Sequence, residues 1–179
     1  MNKQDLSISM GKAGVYSLIL SLPVAFLEVW GFALRWGWEA FWVGFNGFFG
    51  NLWLFLGLFV VGVVVHEGIH ALAWAIFGEK TLSAIRFGFQ LATLTPYAHC
   101  KVPMEVNAYR WGTAMPGLVL GLLPALIGIG TGWGGGLSFG LIFTIAAGGD
   151  MLILWLLRGV PAGKQVEDHP SQAGCYVLE

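Results

Sequence analysis

Residues 52–77 read LWLFLGLFVVGVVVHEGIHALAWAIF, a run long enough to cross a bilayer and apolar throughout except at His66, Glu67 and His70. Without those three side chains it is a membrane span; with them it is a helix carrying a zinc-hydrolase signature, His66-Glu67-Gly68-Ile69-His70. On a helix the two histidines stand about 40° apart around the axis and one turn apart along it, so both imidazoles reach one ion. Glu67 projects about 100° from His66, beside the ion, where a carboxylate can take a proton from an attacking water and later give it to a leaving amine. A pattern fixing three positions arises by chance in on the order of one chain in a few hundred. Here two of the four histidines of the chain fall within it, inside an apolar helix where ionisable groups are costly and mark function.

The rest of the chain has the same character. Of 179 residues 56% are apolar and 11% charged, against roughly 25% charged in soluble domains. Nine Trp, thirteen Phe and 27 Gly suit helices packed through small residues and anchored by aromatics at the interfaces. No basic run or stripe is present, which excludes a nucleic-acid partner. Cys100 and Cys175 lie in no CxxC or CaaX box, and reduced thiols are favoured over a disulfide. No small-x-small cleavage site follows the N-terminal segment, so the first apolar stretch reads as a retained span.

Hydropathy and punctuation predict a membrane all-α fold with about four transmembrane helices in one domain over residues 1–179. The spans fall at about Gly14 to Leu34, Leu52 to Phe77, Trp111 to Ile129 and Leu137 to Leu157. Arg35 to Asn51, rich in Trp, Phe and Gly, reads as interfacial or re-entrant, and Pro116 and Pro124 as kinks in the third span. Between the second and third spans Ile85, Phe87, Phe89 and Leu91 alternate with Arg86, Gly88 and Gln90, the period of a strand. A second short strand over Tyr97 to Val102 follows Thr93 and Pro96, giving a cytoplasmic β-hairpin-like segment. Residues 158–179 form a polar tail in which His169 and Cys175 are expected in solvent, although the tail could cover the site entrance.

Four crossings put both termini on one side. Lys3, Lys12, Lys80, Arg86, Lys101, Arg110, Arg158 and Lys164 then share that side and only Arg35 lies opposite, so the positive-inside rule makes it the cytoplasm. His66 lies 11 residues before the inner end of the second span and Asp150 lies 7 before that of the fourth. At 1.5 Å per residue the two depths differ by about 6 Å, within helix tilt.

Asp150 is therefore the first choice as third ligand beside His66 and His70, with Ala147-Gly148-Gly149 letting another helix approach its backbone; the alternative is that it ends the span or pairs with Arg158. His99, in YAHCKVP, is the competitor: a ligand, or a substrate or oxyanion contact. Cys100 could bind a soft metal, and Glu28 in the first span is a second polar inhabitant, paired or protonated.

The order HExxH, then Tyr97, His99, Cys100 and Pro103 in a Tyr-x-His-Cys-x-x-Pro segment, a Pro-Gly-bearing helix and Gly148-Gly149-Asp150 resembles an uncharacterised bacterial family of zincin-type membrane peptidases. The resemblance extends to Asp168-His169-Pro170 and Gly174-Cys175 of the tail. More distantly the layout is similar to the three-helix core of site-2 intramembrane proteases, in which a later helix supplies an aspartate ligand and a β element holds the substrate extended. It departs from them in having Gly148-Gly149 before the aspartate and Met151 after it, and in lacking a PDZ-like insertion. The resemblance implies a Zn2+ metallopeptidase of the bacterial inner membrane acting on a membrane or membrane-proximal polypeptide. The competing readings are a metal-binding or metal-transport protein using the same ligands, and a di-iron oxygenase, for which the chain has too few carboxylates and histidines.

Overall fold

The computed structural model describes residues 3–90 and 95–178. In chain order the elements are strand β1 (Lys3–Ile8), helix α1 (Met10–Phe49), α2 (Leu52–Phe77), a 3-10 turn (Leu82–Ala84), β2 (Ile85–Gln90), β3 (Thr95–Cys100), β4 (Met104–Glu105), α3 (Val106–Pro116), a π turn (Gly117–Leu122), α4 (Leu123–Thr131), α5 (Gly134–Ala146), α6 (Gly148–Leu157), β5 (Gln165–Asp168) and β6 (Ala173–Leu178). Three helical stretches are long and apolar enough to cross a membrane: Met10–Phe49, Leu52–Phe77 and Val106–Thr131. Gly134–Ala146 and Gly148–Leu157, bent by 48° at their junction, reach that length and hydropathy only when taken together, as a broken span or a re-entrant pair.

The second span matches its predicted bounds, with Asn51 capping the Leu54 amide and Gly78 ending it. Its outer surface carries exposed Val60, Val61, Val64 and Leu72, apolar side chains suited to lipid and not to water. The predicted kinks in the third span are a change of helical pitch: α3 ends at Pro116, a π turn follows, and Pro124 sits in the first turn of α4, where its missing N–H costs little. Residues 35–49 continue α1 as helix beyond a single break at Gly37, whose φ of +85° suits glycine. The aromatic richness of that segment goes into a ring ladder through Phe41, Phe45 and Phe49.

The hairpin is present, with β2 and β3 antiparallel in the register Ile85↔Cys100 and Phe87↔Ala98. Its second strand begins two residues earlier than predicted, and the positions assigned to Leu91 and Thr93 lie outside the described residues. The all-α expectation needs a larger correction. Both ends of the chain and the approach to α3 join in a four-stranded antiparallel sheet of order β1-β6-β5-β4. The segment read as a polar tail is thus half of a sheet, with Cys175 fully buried and His169 nearly so, and neither is solvated. Its strands are short, and their partner β1 lies at the other end of the chain, so no local periodicity announces the pairing. Val166, Cys175 and Val177 pack on Trp74, Met104, Tyr109 and Leu157, fixing the sheet over the ends of α2, α3 and α6.

Candidate metal centre

His66 and His70 face inward from α2, 7% and 6% exposed, with ring centroids 5.0 Å apart. Asp150 reaches them from the first turn of α6, immediately after the bend at Ala147. The bend brings α6 against α1, and Gly148 is what permits this: a methyl group there would lie 2.7 Å from the Ser17 carbonyl oxygen. Asp150 Oδ2 stands 3.2 Å from His66 Nε2 and Oδ1 stands 3.3 Å from His70 Nε2. The three residues that the depth count grouped thus lie side by side. Arg158 turns instead to the Trp155 ring and carbonyl.

The donor set fits a zinc ion. Ligand atoms of His66, His70 and Asp150 lie within 4.8 Å of one another. Tetrahedral ligands bonded at about 2.0–2.1 Å stand about 3.3 Å apart, close to the distance of each histidine Nε2 from the Asp150 oxygen that faces it. The His70 Nδ1–H donates to the Gly112 carbonyl at 2.9 Å, leaving the Nε2 lone pair directed at the carboxylate. Asp150 Oδ2 has no hydrogen-bond partner among the described residues despite its burial. Lone pairs aimed at a carboxylate are repulsive until a cation lies between them.

The His70 ring is clamped from its other side. Trp74, 3% exposed, stacks on it at 5.4 Å and on Tyr109 at 5.7 Å, both with rings 18° from parallel. Gly112 leaves room for this stack, since a methyl group there would overlap the Trp74 indole. Glu67 opens onto a cavity of about 410 Å³ that His66, His70 and Asp150 also line. In β3 the Lys101 amide pairs inward with the Ala84 carbonyl, so the alternate amides of Cys100 and Ala98 point outward. The Cys100 amide meets Asp168 Oδ2 at 2.7 Å, and the Ala98 amide meets the Glu67 carboxylate.

His99 lines the same cavity but stands outside the three-residue cluster, with Nδ1 3.4 Å from Asp168 Oδ2. Cys100 is buried, a free thiol, its Sγ directed at the Val102 carbonyl. Burial raises its pKa and also that of Cys175, the latter to about 12 with help from the neighbouring Asp168. Glu28 is buried away from the cluster, accepting a 2.8 Å hydrogen bond from the Thr144 hydroxyl. Sequence reasoning missed Gly112, Trp74, Tyr109 and Asp168. Of these only Asp168 carried a signal, as part of Asp-His-Pro in a segment read as solvated.

A two-histidine helix with a glutamate beside it and a carboxylate from a second helix is the layout of a metallohydrolase centre. Residues 59–164, well over half of the chain, match the family described as "Putative zincin peptidase", and the chain belongs to that family. The match takes in His66, Glu67, His70, His99 and Asp150 but stops short of β5 and β6. Compared with curated proteins and with solved structures, the chain matches none.

Proposed function

We propose that the protein is a membrane-embedded zinc metallopeptidase that cuts membrane or membrane-proximal polypeptides near the cytoplasmic face. The observation that carries this is the convergence of His66, His70 and Asp150 within 4.8 Å, in a cleft shared with Glu67. These three residues would hold the ion, and family membership points to zinc. Bound zinc supplies Lewis acidity, bringing water toward ionisation near neutral pH and polarising a carbonyl.

The remaining work falls to the chain. Glu67, held by the Ala98 amide, accepts a proton from the attacking water and delivers it to the amine as the peptide bond breaks. His99, on the cavity wall contributed by β3, contacts the substrate backbone and, with Nδ1 toward Asp168, can accept one of its N–H groups at Nε2. A substrate must be unwound to present that carbonyl, and the outer edge of β3 borders the cleft. This edge is poor in donors: Pro96 has no N–H, and the Ala98 and Cys100 amides are engaged. An extended substrate would therefore lean on the strand's carbonyls and on side chains such as Tyr97 and His99. The distribution of basic residues supports cytoplasmic termini, and the polar side chains of Gln90, His99, Ser171 and Gln172 on the cleft wall support water entry from that side.

The test uses full-length protein in lipid nanodiscs with two probes: fluorescein-labelled β-casein, and a single-span peptide broken by Asn-Pro near its cytoplasmic end. Glu67→Gln should abolish cleavage of the accepted probe while zinc content stays at wild-type level. Cleavage that persists in Glu67→Gln would refute the peptidase reading. Zinc binding with cleavage of neither probe by the wild type would favour metal binding or transport.

A further inference from the structure

Asp168 closes β5 at the lip of the cleft and is a buried carboxylate that the mechanism above does not use. Its oxygens are surrounded by donors from two elements, α3 and β3. The Tyr109 hydroxyl of α3 donates to Oδ1, the Cys100 amide of β3 donates to Oδ2 at 2.7 Å, and His99 Nδ1 stands 3.4 Å from the same Oδ2. An acceptor so placed fixes which imidazole nitrogen carries the proton. With Nδ1 turned to Asp168, His99 keeps Nε2 for the cavity that it lines. Tyr109 is itself fixed by burial and by stacking on Trp74, so the stack that ends on His70 does not depend on the carboxylate.

The turn that follows Asp168 builds part of the cavity wall. His169 Nδ1 accepts the amides of Ser171 and Gln172 at 3.1 and 2.8 Å, and residues 169–174 border the cleft opposite α2. The sheet strand that carries Asp168 lies beyond the segment shared with the family.

We infer that Asp168 is a positioning residue of this active site, holding His99 by Nδ1 so that Nε2 meets the substrate in the cleft. The inference rests on the peptidase reading for its kinetic consequence and on geometry alone for the state of His99. The Ala variant removes the acceptor that faces Nδ1, so His99 reverts to the Nε2–H tautomer that free imidazole side chains prefer, and the nitrogen that faces the substrate turns from an acceptor into a donor.

The test is carried out on zinc-loaded, full-length protein in nanodiscs, with labelled β-casein as kinetic probe and histidine 15N spectra recorded above the histidine titration range. Asp168→Ala should lower kcat/KM 10- to 100-fold with zinc content unchanged. In the same variant the His99 proton should move from Nδ1 to Nε2. The double variant Asp168→Ala/His99→Ala should be no slower than His99→Ala, because a residue acting through His99 has nothing left to lose. Unchanged kcat/KM in Asp168→Ala, or losses that multiply in the double variant, overturns the inference. If Asp168→Ala melts early, Asp168→Glu takes its place: it should keep the proton on Nδ1 and recover part of kcat/KM over His99→Ala, and failure on either count overturns the inference. If wild-type protein does not cleave casein, the peptidase reading is in question, while a proton that stays on Nδ1 in Asp168→Ala still refutes the role given to Asp168.

Discussion

Replacing Gly112 by alanine tests how the metal centre is held, because one hydrogen atom there separates α3 from the Trp74 indole. The added methyl group overlaps the ring, and the ring has nowhere to go: it is 3% exposed and stacked between His70 and Tyr109. To regain ordinary contact α3 must withdraw from α2 by on the order of 1 Å. The His70 Nδ1 to Gly112 carbonyl distance, 2.9 Å, would then pass the roughly 3.5 Å limit of a hydrogen bond. Overpacking of this kind costs about 1–3 kcal/mol of stability, and losing the partner that orients a ligating histidine costs about 10- to 100-fold in metal affinity. The assay is competition for zinc between purified protein and a chelator, with a thermal melt of the zinc-free form beside it. Trp74→Leu in the Gly112→Ala background removes the overlapping ring and should recover affinity relative to Gly112→Ala alone, a coupling of opposite sign to two independent lesions. Wild-type affinity in Gly112→Ala, or no recovery in the double variant, would refute the clamp.

Three further outcomes follow from the same geometry. Asp150→Ala should lose zinc at least 100-fold more readily than wild type in chelator competition while retaining its helical circular dichroism; full retention of zinc would remove Asp150 from the ligand set. Glu105 caps α3 through the Asn107 and Ala108 amides and reaches across to the Gly163 amide, so Glu105→Ala should cost about 1–2 kcal/mol in a melt near neutral pH. Burial pushes its carboxyl up, but the Gly163, Ala108 and Asn107 amides and Arg110 together pull it further down, below the ordinary 4.5. A lowered folded value gives stability that is present above the unfolded value and lost as pH falls through the folded one, so the gap between Glu105→Ala and wild type should narrow as pH falls below the ordinary carboxylate range. Cys175, with its thiol raised to about 12, should resist maleimide at pH 8 in folded protein and react at once in denaturant.

How much was readable in the sequence depends on how local each signal is. The second span and the HExxH on it lie within one helix, where apolar length, the Asn51 cap and the His66–His70 spacing all act over a few residues. Asp150 is 80 residues beyond His70, yet it too was legible, because a membrane forces helices into a common frame and depth can be counted along each. The frame gives depth but not rotation. It could not show that Gly112 presents its carbonyl to His70, or that Trp74 lies flat on that ring, since both depend on the facing of α3 against α2.

The terminal sheet had no such frame. β1 and β6 pair from opposite ends of the chain, and β5 meets the two-residue β4, so each strand is too short and its partner too remote for its own alternation to reveal it. Polarity made this worse: Glu167, Asp168 and His169 look like a solvated tail because a local reading cannot see that Cys100, Tyr109 and His99 supply Asp168 with donors. A buried carboxylate survives only where donors from elsewhere meet it, so its sequence neighbours say least about it. The three candidate ligands sit on long apolar helices, whereas Asp168, the residue proposed to position His99, sits on a sheet assembled from both ends of the chain. Substitutions in β1 that loosen the β1-β6 ladder should therefore weaken cleavage through His99 before they release zinc, and kinetics and metal content measured on the same variants separate the two.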